Sequence, residues 1–332
     1  MSDAYVSSPF DVQPGFVLDR YDLVRQIGQG GMGAVWMGRL AGKHGFERSF
    51  AIKLMSAKHG ADERFREMFL DEARIASQIH HPNVAQIFDL GEQDGILYLV
   101  MEWIEGESLQ FLFRQARAKK IELPLGVVLR ILADTASGLH AAHELRGPEG
   151  ELLDVVHRDV SPHNVLVGRA GVSKVIDFGI AEARNRLVSD TSTGSIKGKV
   201  RYMAPEQALG RRVDRRTDLW AVGAMLNEYI LGKPLYDGDN DIVILQRLFR
   251  GETPIVPREG TPEPLYDVLD RTLRTDPDSR FDTGAALATA LEEAAEALGV
   301  ATKAAGVAAY LERELGSHFV AQADSLARAM SS

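Results

Sequence analysis

Three glycines, Gly28, Gly30 and Gly33, make a G-x-G-x-x-G pattern inside YDLVRQIGQGGMGAVWMGRL. Glycine lets a backbone turn tightly and come close to phosphate oxygens. Two unrelated architectures use this pattern, and the residues after it decide between them. A dinucleotide-binding βαβ unit places a helix directly after the glycines. Here AVWMGRL follows, β-branched and aromatic, which reads as a strand. The pattern therefore fits a hairpin lying over nucleotide phosphates, with an ordinary Gly-rich turn as the alternative at this point.

The rest of the chain divides unevenly around that hairpin. RSFAIKLM reads as a third strand, and ADERFREMFLDEARIASQIH, residues 61–80, reads as a helix with Phe65, Phe69, Ala76 and Ile79 at helical spacing. NVAQIFDLGEQDGILYLVMEWI reads as two strands around the turn Gln93-Asp94-Gly95. Residues 21–104 thus form a mostly β unit with one long helix. The remainder reads as helices near 107–119, 125–145, 216–232, 241–250, 264–274 and 283–298, interrupted by a Val- and Gly-rich stretch at 152–180. In the Ala-rich tail, Val307, Leu311 and Leu315 share one helical face. Gly316 is expected to end that helix, and Phe319, Leu326 and Met330 to mark a second. Residues 1–20 lack periodicity and read as a flexible leader.

Bulk properties narrow the function classes. The 332 residues contain no Cys, which excludes disulfides and thiolate-bound metals. A formal net charge of −9 argues against a nucleic-acid binder and against docking on an anionic membrane. No secretory signal and no membrane-spanning run is visible, so a cytoplasmic location is expected.

Several polar residues stand where a plain structural role is hard to give them. Lys53 lies on the third strand, in AIK. Glu72 lies three residues after Phe69 and four before Ala76, on the apolar face of its helix. A carboxylate there needs a partner, and Lys53 on the neighbouring strand is the natural one. HRDVSPHN, residues 157–164, supplies Asp159, a carboxylate able to orient a hydroxyl and accept its proton. It also supplies Asn164, whose amide oxygen suits Mg²⁺. DFG at 177–179 adds Asp177, a second hard oxygen ligand.

Read in this order, the set resembles a eukaryotic-like (Hanks-type) protein kinase of the bacterial kind, most like the myxobacterial branch. The resemblance runs from Tyr21 to Leu298 and continues through APE at 204–206, DLWAVG at 218–223 and Arg280 in DPDSRF. It implies an α+β, bilobal fold, with a small β-rich lobe at 21–104, a larger helical lobe at 105–298 and a helical extension at 299–332. It implies that Gly28, Gly30 and Gly33 cover the ATP phosphates, and that Lys53, paired with Glu72, holds two of them. Asp159 becomes the catalytic base, and Asn164 and Asp177 the ligands of Mg²⁺, or of Mn²⁺ in its place. Met101 becomes the gatekeeper. Glu102 and Ile104 would face adenine, Val35, Ala51 and Leu166 would sandwich it, and Ser108 would stand near the ribose. Asp218 would brace the catalytic loop, and Glu206 would pair with Arg280. Protein substrates with Ser or Thr acceptors are implied. A pseudokinase or nucleotide-binding scaffold is the competing class.

The chain departs from the family at one place. The Lys usually found two residues after the catalytic Asp is replaced by Ser161. In KGKVRYMAPE, the position that usually carries a Thr is Lys199. The expectation is a swap, with Lys199 supplying the ammonium and Ser161 the hydroxyl. Pro162 matches the Ser/Thr type rather than the Tyr type. Arg158 is implied to pair with a phosphate on the activation segment, where Ser189, Thr191, Ser192, Thr193 and Ser195 are candidate acceptors. RRVDRRTD at 211–218 reads as a solvated basic face, with recognition of acidic sequences as the functional alternative. The tail reads as extra helix on the large lobe, with partner docking as its functional alternative.

Overall fold

The computed structural model describes residues 12–30, 33–55, 63–178, 199–236, 240–252 and 256–331. The activation-segment acceptors named above lie outside the described residues.

Period-two alternation builds the first half. Strands β1 (Val17–Leu18), β2 (Tyr21–Gly30), β3 (Gly33–Ala41), β4 (Glu47–Met55), β5 (Ile87–Gln93) and β6 (Ile96–Glu102) form one antiparallel sheet in the order β1-β2-β3-β4-β6-β5. Along β4, Phe50, Ile52 and Leu54 are buried in one core with Trp36, Tyr98 and Val100. Burying side chains of this size contributes about 1.5–3 kcal/mol each. Alternation sends Ala51, Lys53 and Met55 to the other face. There, Met55 packs with Leu97 and Leu99 against Phe69 and Ala73 of helix α1 (Glu63–Ser77). The register pairs Ala51 with Met101 and Lys53 with Leu99. Lys53 is thereby fixed on the face that carries α1.

The chain leaves β6 through residues 103–105 into β7 (Gly106–Ser108) and α2 (Leu109–Lys119). β7 joins β8 (Val165–Gly168) and β9 (Ser173–Val175) in a second, three-stranded sheet. Gly106 is required for this pairing. A Cβ there would stand 2.2 Å from the Val167 carbonyl oxygen. The remaining helices form the large lobe: α3 (Leu125–His143), α4 (Pro205–Ala208), α5 (Arg215–Leu231), α6 (Asp241–Phe249), α7 (Glu263–Thr272), α8 (Gly284–Ala297) and α9 (Ala304–Ser331). α5 is buried without a break from Thr217 to Glu228 and forms the lobe's axis. α3 is long and apolar enough to cross a membrane by composition, yet most of it is buried within this lobe.

The six helices expected in the large lobe lie within two residues of their predicted ends. The tail differs. One helix, Ala304–Ser331, runs through Gly316 where a stop was expected. Glycine costs a helix about 1 kcal/mol, and packing outweighs it: Val307, Leu311 and Leu315 are followed at the same spacing by Phe319, all buried. The stripe continues across the glycine, so the helix does too.

Candidate active site

The catalytic-loop candidate is built on a buried carboxylate. Asp218, in the first turn of α5, is 1 % exposed and accepts backbone N–H bonds from His157 and Arg158, each at 2.8 Å. It also meets His143 Nε2 of α3 at 2.8 Å. Arg158 takes a left-handed conformation, φ 65°, which costs a non-glycine residue about 1–2 kcal/mol. The bonds to Asp218 hold it there. The turn presents Asp159 at the cleft, and Asn164 Nδ2 ties it by donating to the Asp159 carbonyl at 2.8 Å and to Oδ2 at 3.0 Å. With its NH₂ spent on Asp159, Asn164 keeps its amide oxygen for an acceptor role.

The DFG segment is locked to the same loop. Ile176 donates its N–H to the Asn164 carbonyl at 3.0 Å, and the His157 ring meets the Ile176 carbonyl at 3.0 Å. The Phe178 ring lies 4.8 Å from that of His157. Asp177 also has a positive φ, 53°. Its Oδ1 stands 2.9 Å from Lys53 Nζ, joining the two lobes across the cleft. The sequence led us to expect Glu72 in that place. Glu72 is half-buried on α1 and lines a cavity with Phe178 and Arg158.

The residues expected to face a nucleotide fall on two opposed surfaces. Val35 on β3 pairs with Gly28 and with Lys53, and Ala51 pairs with Met101. On β8, Val165 and Val167 are buried inward, while Leu166 alternates to the half-exposed side and pairs with Ser108. Gly30 and Gly33 are register partners that close the hairpin. The Glu102 carboxylate is committed to Lys174, at 3.0 Å. The Glu102 N–H donates to the Gln86 carbonyl at 2.8 Å, so the carboxylate and the N–H are both engaged within the protein. The Ser108 hydroxyl is likewise committed. It caps α2 by accepting from the Phe111 N–H at 3.2 Å.

Oxygen donors from Asn164 and Asp177 suit a hard divalent cation. Among the described residues, no cluster of three or more His, Asp or Glu forms a self-sufficient cage. Such a pair fits an ion that takes its remaining ligands from phosphate and water.

The APE segment buttresses this loop. Gln207 Nε2 donates to the Arg158 carbonyl at 2.8 Å. Val200, Tyr202 and Met203 line a small cavity with Arg158 and Asp159. Lys199 opens the 3₁₀ turn Lys199–Tyr202 directly before Val200, and its side chain lies outside what is described. Ser161 is 1 % exposed, and its Oγ has no hydrogen-bond partner among the described residues. Glu206 and Arg280 form the expected pair, with two bonds of 2.8 Å, in full burial. Half of the basic run is taken up by structure, while Arg211 and Arg212 are exposed. Arg215 pairs with Glu144, and Arg216 with Asp214 and Asp278. Sequence reasoning missed His143. Its signal was helical spacing that puts it on the buried face of α3 beside Ala142 and Leu139.

Comparison with known proteins agrees with this layout. The protein kinase domain family model matches residues 21–291. The tyrosine-protein kinase MasK of Myxococcus xanthus is 44% identical over 274 residues, 82% of this chain and 42% of MasK. The serine/threonine-protein kinase PrkC of Bacillus subtilis is 34% identical over 266 residues, 80% of this chain and 39% of PrkC. The chain thus spans about two-fifths of the length of these curated relatives. A crystal structure of the Mycobacterium tuberculosis PknI kinase domain is 28% identical, with a TM-score of 0.62, covering 86% of this chain and 99% of that one. The match takes in every strand and helix that carries the site, from β2 into α8, and the chain belongs to the protein kinase family, with bacterial Hanks-type kinases as its relatives.

Proposed function

We propose that this chain is a cytoplasmic Ser/Thr protein kinase that uses ATP with Mg²⁺, or Mn²⁺ in its place. The observation that carries the reading is the juxtaposition of Lys53, Asp177, Asn164 and Asp159 in one cleft. Asp159 orients the acceptor hydroxyl and takes its proton as the oxygen attacks the γ-phosphorus. The bond from that phosphorus to the β-γ bridging oxygen breaks, and ADP leaves. Lys53 neutralises phosphate charge from the small lobe. The metal supplies charge stabilisation on the phosphates when bound between Asn164 and Asp177. The catalytic unit is residues 21–298, with 1–20 a leader and 299–332 an extension.

Ser161 and Lys199 complete the site by exchange of roles. The buried, unpartnered Ser161 hydroxyl supports this, as does the cavity that Val200, next to Lys199, shares with Asp159. In regulation, Arg158 is the receiver of a phosphate on the activation segment. Its Nε is buried without a hydrogen-bond partner among the described residues.

A second reading, transfer to Tyr, is favoured by the name of the 44% identical relative. Pro162 and the name of PrkC favour Ser and Thr. Phosphoamino-acid analysis of the labelled protein separates the two: phosphoserine and phosphothreonine support our reading, and phosphotyrosine alone overturns it. In the same assay Lys199→Ala should lower the transfer rate about a hundredfold, the scale of losing one transition-state donor. An unchanged rate would sink the exchange.

A further inference from the structure

The tail helix α9 does more than pad the large lobe. Its first turns are seated tightly there. A Cβ on Gly171, in the β8–β9 turn, would stand 1.9 Å from the Ala304 carbonyl oxygen, and a Cβ on Gly126 would stand 2.3 Å from that of Ala301. Val307, Leu311, Leu315 and Phe319 are buried in the large-lobe core. Further on, the contacts turn polar and reach the β8–β9 turn and β7, the strand just after the segment that joins the lobes. Glu312 pairs with Arg169 at 3.3 Å, while His318 Nε2 and Gln322 Nε2 both reach Glu107 Oε1, at 2.6 and 2.8 Å. The last turns meet the small lobe. Arg25 of β2 donates to Ser325 Oγ at 2.7 Å, and Arg39 of β3 to the Met330 carbonyl at 3.4 Å. From Val307 to Met330 the helix rises about 35 Å, in one element that touches both lobes.

We propose that α9 is an interlobe brace, whose C-terminal turns hold the small lobe at a set angle over the large one. That angle decides whether the Gly28–Gly33 hairpin and Lys53 stand in register with Asp177. The anchoring is asymmetric: apolar and buried on the large lobe, polar and half-exposed on the small one. The small-lobe end is therefore the one that releases, and a protein or modification acting on residues 321–331 would set nucleotide affinity from outside the cleft. The consequence for ATP rests on the kinase reading; the brace itself does not.

The absence of Cys allows a direct distance measurement, because introduced thiols are the only ones. Spin labels at Lys43→Cys on the small lobe and Glu296→Cys on the large lobe, both exposed positions, report the interlobe distance by pulsed electron paramagnetic resonance. The labelled chain with α9 intact should give one narrow distribution. Ala321→Pro, which breaks the helix beyond its buried anchors, should broaden it. Arg25→Ala should broaden it partly, and Arg25→Lys less. ATP affinity of Ala321→Pro, measured by calorimetry, should fall about five- to tenfold. Unchanged distances in both Ala321→Pro and Arg25→Ala would overturn the brace. Broadened distances with unchanged ATP affinity would overturn its link to the site. A parent protein that binds no ATP would instead defeat the kinase reading, and the distances would still decide the brace.

Discussion

Two ion pairs in this molecule look alike in sequence and differ in kind. Glu206 and Arg280 meet through two parallel bonds at the base of the large lobe, with side chains 6 % and 0 % exposed. Arg280 lies 4.9 Å over the Trp220 ring and also donates to three backbone carbonyls, those of Arg274, Arg216 and Thr275. Lys53 and Asp177 meet through one contact across the cleft, with side chains 15 % and 30 % exposed. The first pair has every hydrogen-bonding group committed to protein. The second leaves donors and acceptors facing the cleft, where phosphate and metal would use them. The Glu206–Arg280 charge is spent on architecture, whereas the Lys53–Asp177 charge lies partly open to the cleft.

Removing one partner from each pair should break the comparison if it is wrong. Arg280→Ala leaves a buried carboxylate with only Thr217 Oγ1, at 2.8 Å, among the described residues. It should cost about 3–5 kcal/mol. In calorimetry this should lower Tm by about 5–10 °C. Lys53→Met should do the reverse. A partly exposed, single-contact pair contributes about 1 kcal/mol or less, so Tm should barely move. Phosphate transfer should nonetheless fall about 10²–10³-fold. Equal Tm losses in the two variants would contradict the division.

The smallest effect concerns pH. His140, on α3, and His81, just after α1, are both held below the usual imidazole value, first of all by burial. Nearby Glu144 and Asp134, respectively, pull weakly the other way. Their folded values lie below the unfolded one, so the unfolded chain binds more protons in acid. Their contribution is present above about pH 6.5. It is lost as pH falls through the folded values. Urea midpoints should therefore decline modestly from pH 7 to pH 5, and substituting both residues by Gln should flatten that slope.

The large-lobe motifs were legible because each carries its residues at short spacing: HRDVSPHN holds both Asp159 and Asn164, which bond to each other, and Ile176 beside DFG bonds back to Asn164. Asp218 stands in a helix that period and capping reveal, although its bonds to the His157 and Arg158 N–H groups reach across 61 and 60 residues. Residues whose partners come from distant chain were harder to read. Lys53 was matched to Glu72 from the logic of one helix face, whereas its described partner, Asp177, depends on a left-handed turn far along the chain. Gly316 looked like a stop because propensity is local, while the packing that carries α9 past it comes from Phe111 of α2, stacked on His318, and from Arg169 of the β8–β9 turn, over Phe319. The tie between Arg25 and Ser325 joins residues 300 apart and has no sequence signal.

The central claim is that the Asp159 carboxylate, set in place by Asp218 and Asn164, performs phosphoryl transfer. The measurement is transfer from γ-labelled ATP with Mg²⁺ to the protein itself and to a generic basic protein, comparing the parent with Asp159→Asn. The parent should transfer phosphate, and the variant should lose about 10²–10⁴-fold, with Tm unchanged. Equal transfer by both would contradict it, as would none by a parent whose activation segment has first been phosphorylated by another kinase.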